Sequence, residues 1–167
     1  VYHGQTPVGF VLASAMPDVP LEIYPVTPGW LDAIVVAPEA QYKGFGGQLL
    51  LWAEQWLKEQ DVEQIFVAGS LRPFMPGVPE SFTHTQTFLK GNGYVKEGKE
   101  WDVARDLGVG SSFTRYPEAE LAPLRPATPD DTEAVHQFFA RTFSGRWRFE
   151  FEEFLREGGR IADILIL

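Results

Sequence analysis

Trp30-Leu31-Asp32-Ala33-Ile34-Val35-Val36-Ala37-Pro38-Glu39-Ala40-Gln41-Tyr42-Lys43-Gly44-Phe45-Gly46-Gly47 runs directly into Gln48-Leu49-Leu50-Leu51-Trp52-Ala53-Glu54-Gln55-Trp56-Leu57-Lys58-Glu59. Its first part is a short apolar run with three β-branched residues in a row, the mark of a buried strand. Pro38 stops it, because proline has no N–H to donate to a ladder. After Gly47 the period changes. Leu49, Trp52, Ala53 and Trp56 fall on one helical face, and Leu50 and Leu57 widen it. The unit is a strand, a glycine-rich turn and an amphipathic helix. The turn sits at a helix N-terminus, where unpaired N–H groups and the positive dipole end attract anions. Gly44, Gly46 and Gly47 let backbone approach a bulky ligand such as a diphosphate. The plainer alternative is a helix start that needs glycine for close packing. Two common phosphate cradles do not fit: no Gly-Lys is followed by Ser or Thr, and no G-x-G-x-x-G occurs.

The rest of the chain supports one globular domain class. With 167 residues, 44% hydrophobic and 14% aromatic, it is long enough for a real core. A net charge of −9 without a basic cluster argues against nucleic acid or an anionic membrane as partner. No run of about 18 apolar residues is present, so no transmembrane helix is expected. The first residues do not read as a signal peptide. There is no cysteine, and His3, His84 and His136 are far apart. No disulfide, thiolate site or metal site is expected, and the default location is cytoplasmic.

Working outward, residues 64–69 (Gln-Ile-Phe-Val-Ala-Gly) read as the next buried strand. A strand–helix–strand unit of this length implies a parallel pair with a right-handed crossover. Upstream, residues 1–3 and 8–13 read as two strands around a Gly4–Pro7 turn, and residues 17–29 as a loop with an extended piece at 21–24. Downstream, residues 70–79 are a proline-rich loop in which Phe74 and Met75 line either a pocket or the core. Residues 80–90 read as a helix with Phe82, Thr85 and Leu89 on one face, closed by Gly91-Asn92-Gly93. Tyr94-Val95 opens a further strand, continued by residues 99–106. Residues 108–123 read as a linker, with a domain boundary near residue 115. A strong helix start follows: Thr128 as N-cap, Pro129, then Asp130 and Asp131. Val135, Phe138, Phe139 and Thr142 form its expected buried face. A second helix is expected at about 150–157, before the apolar tail 161–167.

Gln41-x-x-Gly44-x-Gly46, after a strand ending Val36-x-Pro38, resembles the acetyl-coenzyme A loop of the GCN5-related N-acetyltransferases (the GNAT family), whose motif is [Gln/Arg]-x-x-Gly-x-[Gly/Ala]. Phe88-Leu89-x-x-x-Gly93-Tyr94 is similar to the family's last helix, and Val8-Gly9-Phe10 to its hydrophobic-Gly-Phe strand. Leu124-Arg125-Pro126-Ala127-Thr128-Pro129-Asp130-Asp131 resembles the family's first strand and helix entry. The resemblance implies an α/β (α+β) fold: a mixed, mostly antiparallel central sheet flanked by helices, with its elements in permuted order. Residues 1–115 would form a core starting at strand two, 116–123 a linker, and 124–167 the start of a second module, as in a tandem protein. A natural circular permutation is the runner-up. The tail would complete the first sheet within one chain or by exchange in a homodimer.

The same resemblance implies a co-substrate and a site. Acetyl-CoA would be held by backbone of Gln41, Tyr42, Lys43, Gly44, Phe45, Gly46 and Gly47, and Ile34, Val35 and Val36 would pair with its pantetheine arm. No metal takes part. Asp32, the acid on the strand, which strand alternation puts on one face with Trp30 and Ile34, would be the base, and Tyr94 would stand in as the acid. The family's usual tyrosine falls on Leu89 here and its usual asparagine near Phe82. The implied function is an N-acetyltransferase acting on a primary amine of a small molecule or peptide by direct attack. The alternative is a degenerate acyl-CoA-binding module with a structural or regulatory role.

Overall fold

The computed structural model describes residues 1–20, 22–71, 75–99, 101, 103–104, 124–143 and 145–167. The chain divides into two compact units, Val1–Trp101 and Asp102–Leu167. The expected linker at 108–123 and Phe74 lie outside the described residues.

The first unit is built on a three-stranded mixed sheet in the order β3-β4-β5. A small hairpin, β1 (Tyr2–His3) and β2 (Thr6–Pro7), precedes it. β3 (Gly9–Ala15) pairs antiparallel with β4 (Pro28–Val36). β4 begins earlier than the sequence suggests, and residues 22–24 are not extended: Ile23 and Tyr24 donate N–H to the Pro20 carbonyl. The β3–β4 register steps from Leu12↔Ala33 to Ala13↔Leu31. Asp32 is therefore an extra residue on β4, a β-bulge, which inverts the alternation of side chains beyond it. Leu31 and Ile34 consequently pack on the same face, against α1. The expectation that Asp32 shares a face with both Trp30 and Ile34 is corrected: it stays with Trp30 only.

β5 (Gln64–Val67) runs parallel to β4 from Pro28↔Gln64 to Leu31↔Val67, as the crossover requires. There the pairing ends. Ala68, at φ 58°, bends β5 away while its N–H still reaches the Leu31 carbonyl at 2.9 Å. From Asp32 onward, β4 has no partner on that side among the described residues.

α1 (Phe45–Glu59) covers one face of the sheet and buries Leu49, Leu50, Ala53 and Leu57. Trp52, expected on that stripe, is 62% exposed: the face that meets the sheet is centred on Leu50, Ala53 and Leu57, and Trp52 falls on its flank. The helix ends when Asp61 turns left-handed (φ 57°) and the Asp61 and Val62 N–H groups close on the Lys58 and Leu57 carbonyls. α2 (Thr83–Gly91) starts three residues later than expected, because Phe82 closes a turn onto Pro79. Its end is a Schellman motif: Gly93 (φ 91°) donates to Lys90, and Tyr94 to Leu89. This use of the Tyr94 backbone is why the strand expected at 94–95 is absent; residues 94–99 form no strand.

On the other face of the sheet, Trp30 is 1% exposed, edge-on to Tyr24 at 5.6 Å and tilted to Phe66 at 6.2 Å. Removing so large a buried ring leaves a cavity that its neighbours fill only in part. Trp30→Ala is expected to lower unfolding free energy by about 3–5 kcal/mol. Urea denaturation checks this, and a loss under about 1 kcal/mol would show that the site collapses freely.

In the second unit, β6 (Arg125–Pro126) pairs antiparallel with β7 (Leu165–Ile166). The apolar tail is thus a short strand, preceded by a 3-10 turn at Ile161–Asp163. Thr128 and Asp131 form a reciprocal capping box, and Arg125 makes two hydrogen bonds to the Asp131 carboxylate. The Asp131 carboxyl is held well below the usual carboxylate range by Arg125 and by the Thr128 donors. α3 (Thr132–Thr142) buries Val135, whereas Phe138 and Thr142 are exposed. Phe139 stacks on Phe151 at 5.1 Å and His136 meets the same ring edge-on. α4 (Gly145–Arg156) is longer than expected and buries Phe149 and Phe151, so the contact with α3 is aromatic.

Candidate functional site

The end of β4, the turn after it and the first turn of α1 form one continuous surface. A 3-10 turn, Pro38–Ala40, follows the strand. The Gln41 side-chain amide then donates to the Val36 carbonyl at 3.0 Å, tying the turn to the strand end. Lys43 donates its ammonium to the Glu39 carbonyl at 2.8 Å. Tyr42 is 85% exposed with φ 59°, and its ring stands edge-on to His84 at 6.2 Å.

Gly44, at φ 87°, is the N-cap, a conformation that L side chains rarely take. α1 then begins at Phe45, so Gly46 and Gly47 lie inside its first turn. The first intrahelical bond runs from the Gln48 N–H to the Gly44 carbonyl at 3.1 Å. By helix geometry, the N–H groups of Phe45, Gly46 and Gly47 have no intrahelical acceptor and point outward at the positive end of the dipole. Neither Gly46 nor Gly47 is glycine for the fold's sake. A Cβ at Gly47 would meet nothing within 4 Å, and one at Gly46 would make only ordinary contact with the Phe88 ring, at 3.6 Å. What glycine preserves is open space at Gly47 and an uncovered backbone at Gly46, beside bare amides.

β4 supplies the adjoining edge. Ile34 packs into the α1-side core, while Val35 is exposed on the opposite face. Val36 lies beside Gly46, its Cγ2 about 4.0 Å from where a Cβ would be.

Asp32 sits on the bulge where β4 loses its β5 partner. It is 6% exposed. Its Oδ2 accepts a 2.6 Å hydrogen bond from the Ser14 hydroxyl, and its Oδ1 is buried without a partner. A carboxyl oxygen buried without a donor is costly, so the position is not explained by stability. Ser14 lies opposite Trp30 in the β3–β4 register, which puts the Ser14–Asp32 pair on the Trp30 face. Tyr94 is on the other face, packed against the cluster of Leu31, Leu50, Ala53 and Leu89. Its hydroxyl donates to Glu54 at 2.9 Å, and burial together with that carboxylate pushes its pKa up. The structure therefore joins Gln41–Gly47 to Val36 but sets Asp32 and Tyr94 on opposite sides of the sheet. Ser14 escaped the sequence reading. The available signal was that it is the only hydroxyl in β3, Gly-Phe-Val-Leu-Ala-Ser-Ala.

Among the described residues, no group of three or more His, Asp and Glu side chains is placed to hold a metal ion, and no helix is long and apolar enough to cross a membrane.

Comparison with known proteins bears on the same region. Residues 1–72 match the acetyltransferase (GNAT) family. No curated protein sequence matches the chain. Among solved structures, the chain is similar to a GCN5-related glucosamine N-acetyltransferase region of a fungal multi-domain GH3 beta-N-acetylglucosaminidase, with TM-score 0.73 and 20% identity over 98% of this chain. The chain spans only 19% of that protein's length. It is also similar to the aminoglycoside N-acetyltransferase AAC(6')-Iy in complex with CoA (TM-score 0.50, 15% identity, 64% of this chain, 72% of that one). A third similar structure is a transcriptional regulator from Bacillus halodurans C-125 (TM-score 0.50, 16% identity, 62% of each chain). At these identities the structural likeness speaks for the fold, and the sequence match speaks for the strand, turn and helix that carry the site. The mixed α/β fold is similar to that of GNAT acetyltransferases, and residues 1–72 match the model of that family.

Proposed function

We propose that the chain is an acetyltransferase module that moves an acetyl group from acetyl-CoA to a primary amine of a small molecule or peptide. The observation that carries this is the row of bare amides at Phe45, Gly46 and Gly47, beside the part of β4 that has no β5 partner. These residues fit a diphosphate-bearing coenzyme: two glycines without side-chain cover, open space at Gly47, unpaired donors and a helix dipole of the right sign. Acetyl-CoA would supply the activated acyl carbon and a thiolate leaving group.

The chain's own part is to bind, orient and accept a proton. Backbone of Gln41, Tyr42, Lys43, Gly44, Phe45, Gly46 and Gly47 would hold the diphosphate. Backbone of Ile34, Val35 and Val36 would pair with the pantetheine arm, which fixes the acyl group against the bulge and supplies orientation. Asp32 is the proposed base: it lies at the point where the strands part, and an amine must lose a proton to complete the transfer. Tyr94, bound to Glu54 with its pKa raised, is read here as a tie between α1 and the segment after α2; a proton for the thiolate need not come from it, since a thiol pKa of about 8.5 lets the thiolate leave unaided.

A second reading, a coenzyme-binding module without turnover, is favoured by Leu89. It is buried in the core where the family places a tyrosine. The neighbours' names suggest glucosamine and an aminoglycoside as acceptors to try, and spermidine and a short peptide complete a panel of primary amines. Thiol release from acetyl-CoA with this panel, beside calorimetry of CoA against ADP and pyrophosphate, tests the proposal. Turnover supports the first reading. CoA binding without turnover supports the second. Equal affinity for CoA and pyrophosphate would remove both. We further propose that residues 124–167 open a second module of the same kind, supported by the β6–β7 pair and the capping box at Thr128.

A further inference from the structure

The three strands of the central sheet, Gly9–Ala15, Pro28–Val36 and Gln64–Val67, carry a single ionisable side chain, Asp32. It is more than nine-tenths buried: Oδ1 is enclosed without a donor, and Oδ2 is engaged by the Ser14 hydroxyl at 2.6 Å. The oxygen that can take a proton is thus the one that Ser14 already holds. Ser14 does have access. It is only half-buried, and it lies on β3, the edge strand of the sheet. On this face the aromatic group Trp30, Tyr24 and Phe66 packs beside the pair. Among the described residues, the titratable groups packed on the sheet are Tyr24 on this side, and Glu54, Lys58 and Glu59 of α1 with Tyr94 on the far side. None of them is interposed between Ser14 and Asp32, whose hydrogen bond is direct.

We propose that Ser14 is the group that meets the acceptor amine and passes its proton to Asp32. This rests on the acetyltransferase reading above. The ammonium gives one proton to Ser14 Oγ as the Ser14 O–H gives its own to Asp32 Oδ2. One N–H and one O–H bond break and two O–H bonds form. The products are a neutral amine, an intact serine and a protonated Asp32, with no oxidant or further reactant. A hydroxyl both donates and accepts, so the edge-strand serine extends the reach of a buried base by one hydrogen bond.

The test uses the full chain and the panel amine with the highest turnover. Ser14→Ala is expected to lower kcat about 100-fold, with acetyl-CoA affinity within about twofold of wild type, and to lose the acid limb of the pH–rate profile. Ser14→Thr, which keeps the hydroxyl, should stay within about fivefold of wild type. The double variant with Asp32→Asn should be no slower than Asp32→Asn alone, because the two act as a unit. Wild-type kcat and an intact acid limb in Ser14→Ala, beside their loss in Asp32→Asn, would overturn the relay and leave the acetyltransferase reading standing. No turnover of wild type with any panel amine would remove the reading and the relay together. A proton inventory in mixed H2O and D2O needs no variant: a bowed plot, two protons in flight, is expected, and a linear one overturns the relay.

Discussion

Asp32→Asn lowers kcat by about 10²- to 10⁴-fold, the range a positioned general base contributes, and leaves acetyl-CoA affinity nearly unchanged. The replacement is isosteric. The Ser14 hydroxyl still finds an acceptor in the amide oxygen, and Asp32 lies on the sheet face away from Ile34 and α1. What is lost is the capacity to take a proton. The acid limb expected of a base-assisted reaction disappears in the variant. The readouts are kcat, the acetyl-CoA Kd by calorimetry and the pH–rate profile. An unaltered profile would exclude Asp32 as the base. A variant that loses coenzyme affinity as well would point to a structural role at the bulge.

Gly46→Val is the second large effect. A Cβ at Gly46 makes ordinary contacts with Phe88, at 3.6 Å, and with Val36. The residue is in the first turn of α1, where valine has better helix propensity than glycine. The fold should therefore survive with thermal stability close to wild type. The new side chain rises over the amides of Phe45, Gly46 and Gly47, where a diphosphate must come to hydrogen-bond distance. Acetyl-CoA affinity is expected to fall at least about 100-fold, or about 2.7 kcal/mol. Circular dichroism establishes the fold and calorimetry reads the Kd. Unchanged affinity in the folded variant would move the coenzyme site away from this turn.

The local chemistry of the site was legible in the linear chain. Strand, proline stop, glycine turn and helix each have a signal in their own residues: β-branching at 34–36, the missing donor of Pro38, the glycines at 44, 46 and 47, and the apolar period at 49, 52, 53 and 56, widened by 50 and 57. The capping box at Thr128 and the end of α2 at Gly93 were legible for the same reason, since a cap depends on neighbours a few residues away. These are short-range interactions, and a sequence records them directly.

Three features depended on residues far apart in the chain. The bulge at Asp32 exists only in the register between β3 and β4, a pairing 18 residues apart at Ser14 and Asp32. That one extra residue inverted the expected faces, moving Ile34 to the core side and leaving Asp32 with Trp30. Trp52 read as core because a helical wheel does not say which part of a broad apolar stripe meets the sheet; the packing of Leu50, Ala53 and Leu57 decided it. Tyr94 read as the start of a strand, yet its backbone completes the cap of α2 and its hydroxyl reaches Glu54, 40 residues away. Where backbone amides lie open to an anion could be read from the linear chain, because capping and helix geometry are local. Which face Asp32 takes, and that Ser14 meets it there, followed from the strand pairing, because one inserted residue in a ladder sets the direction of every side chain after it.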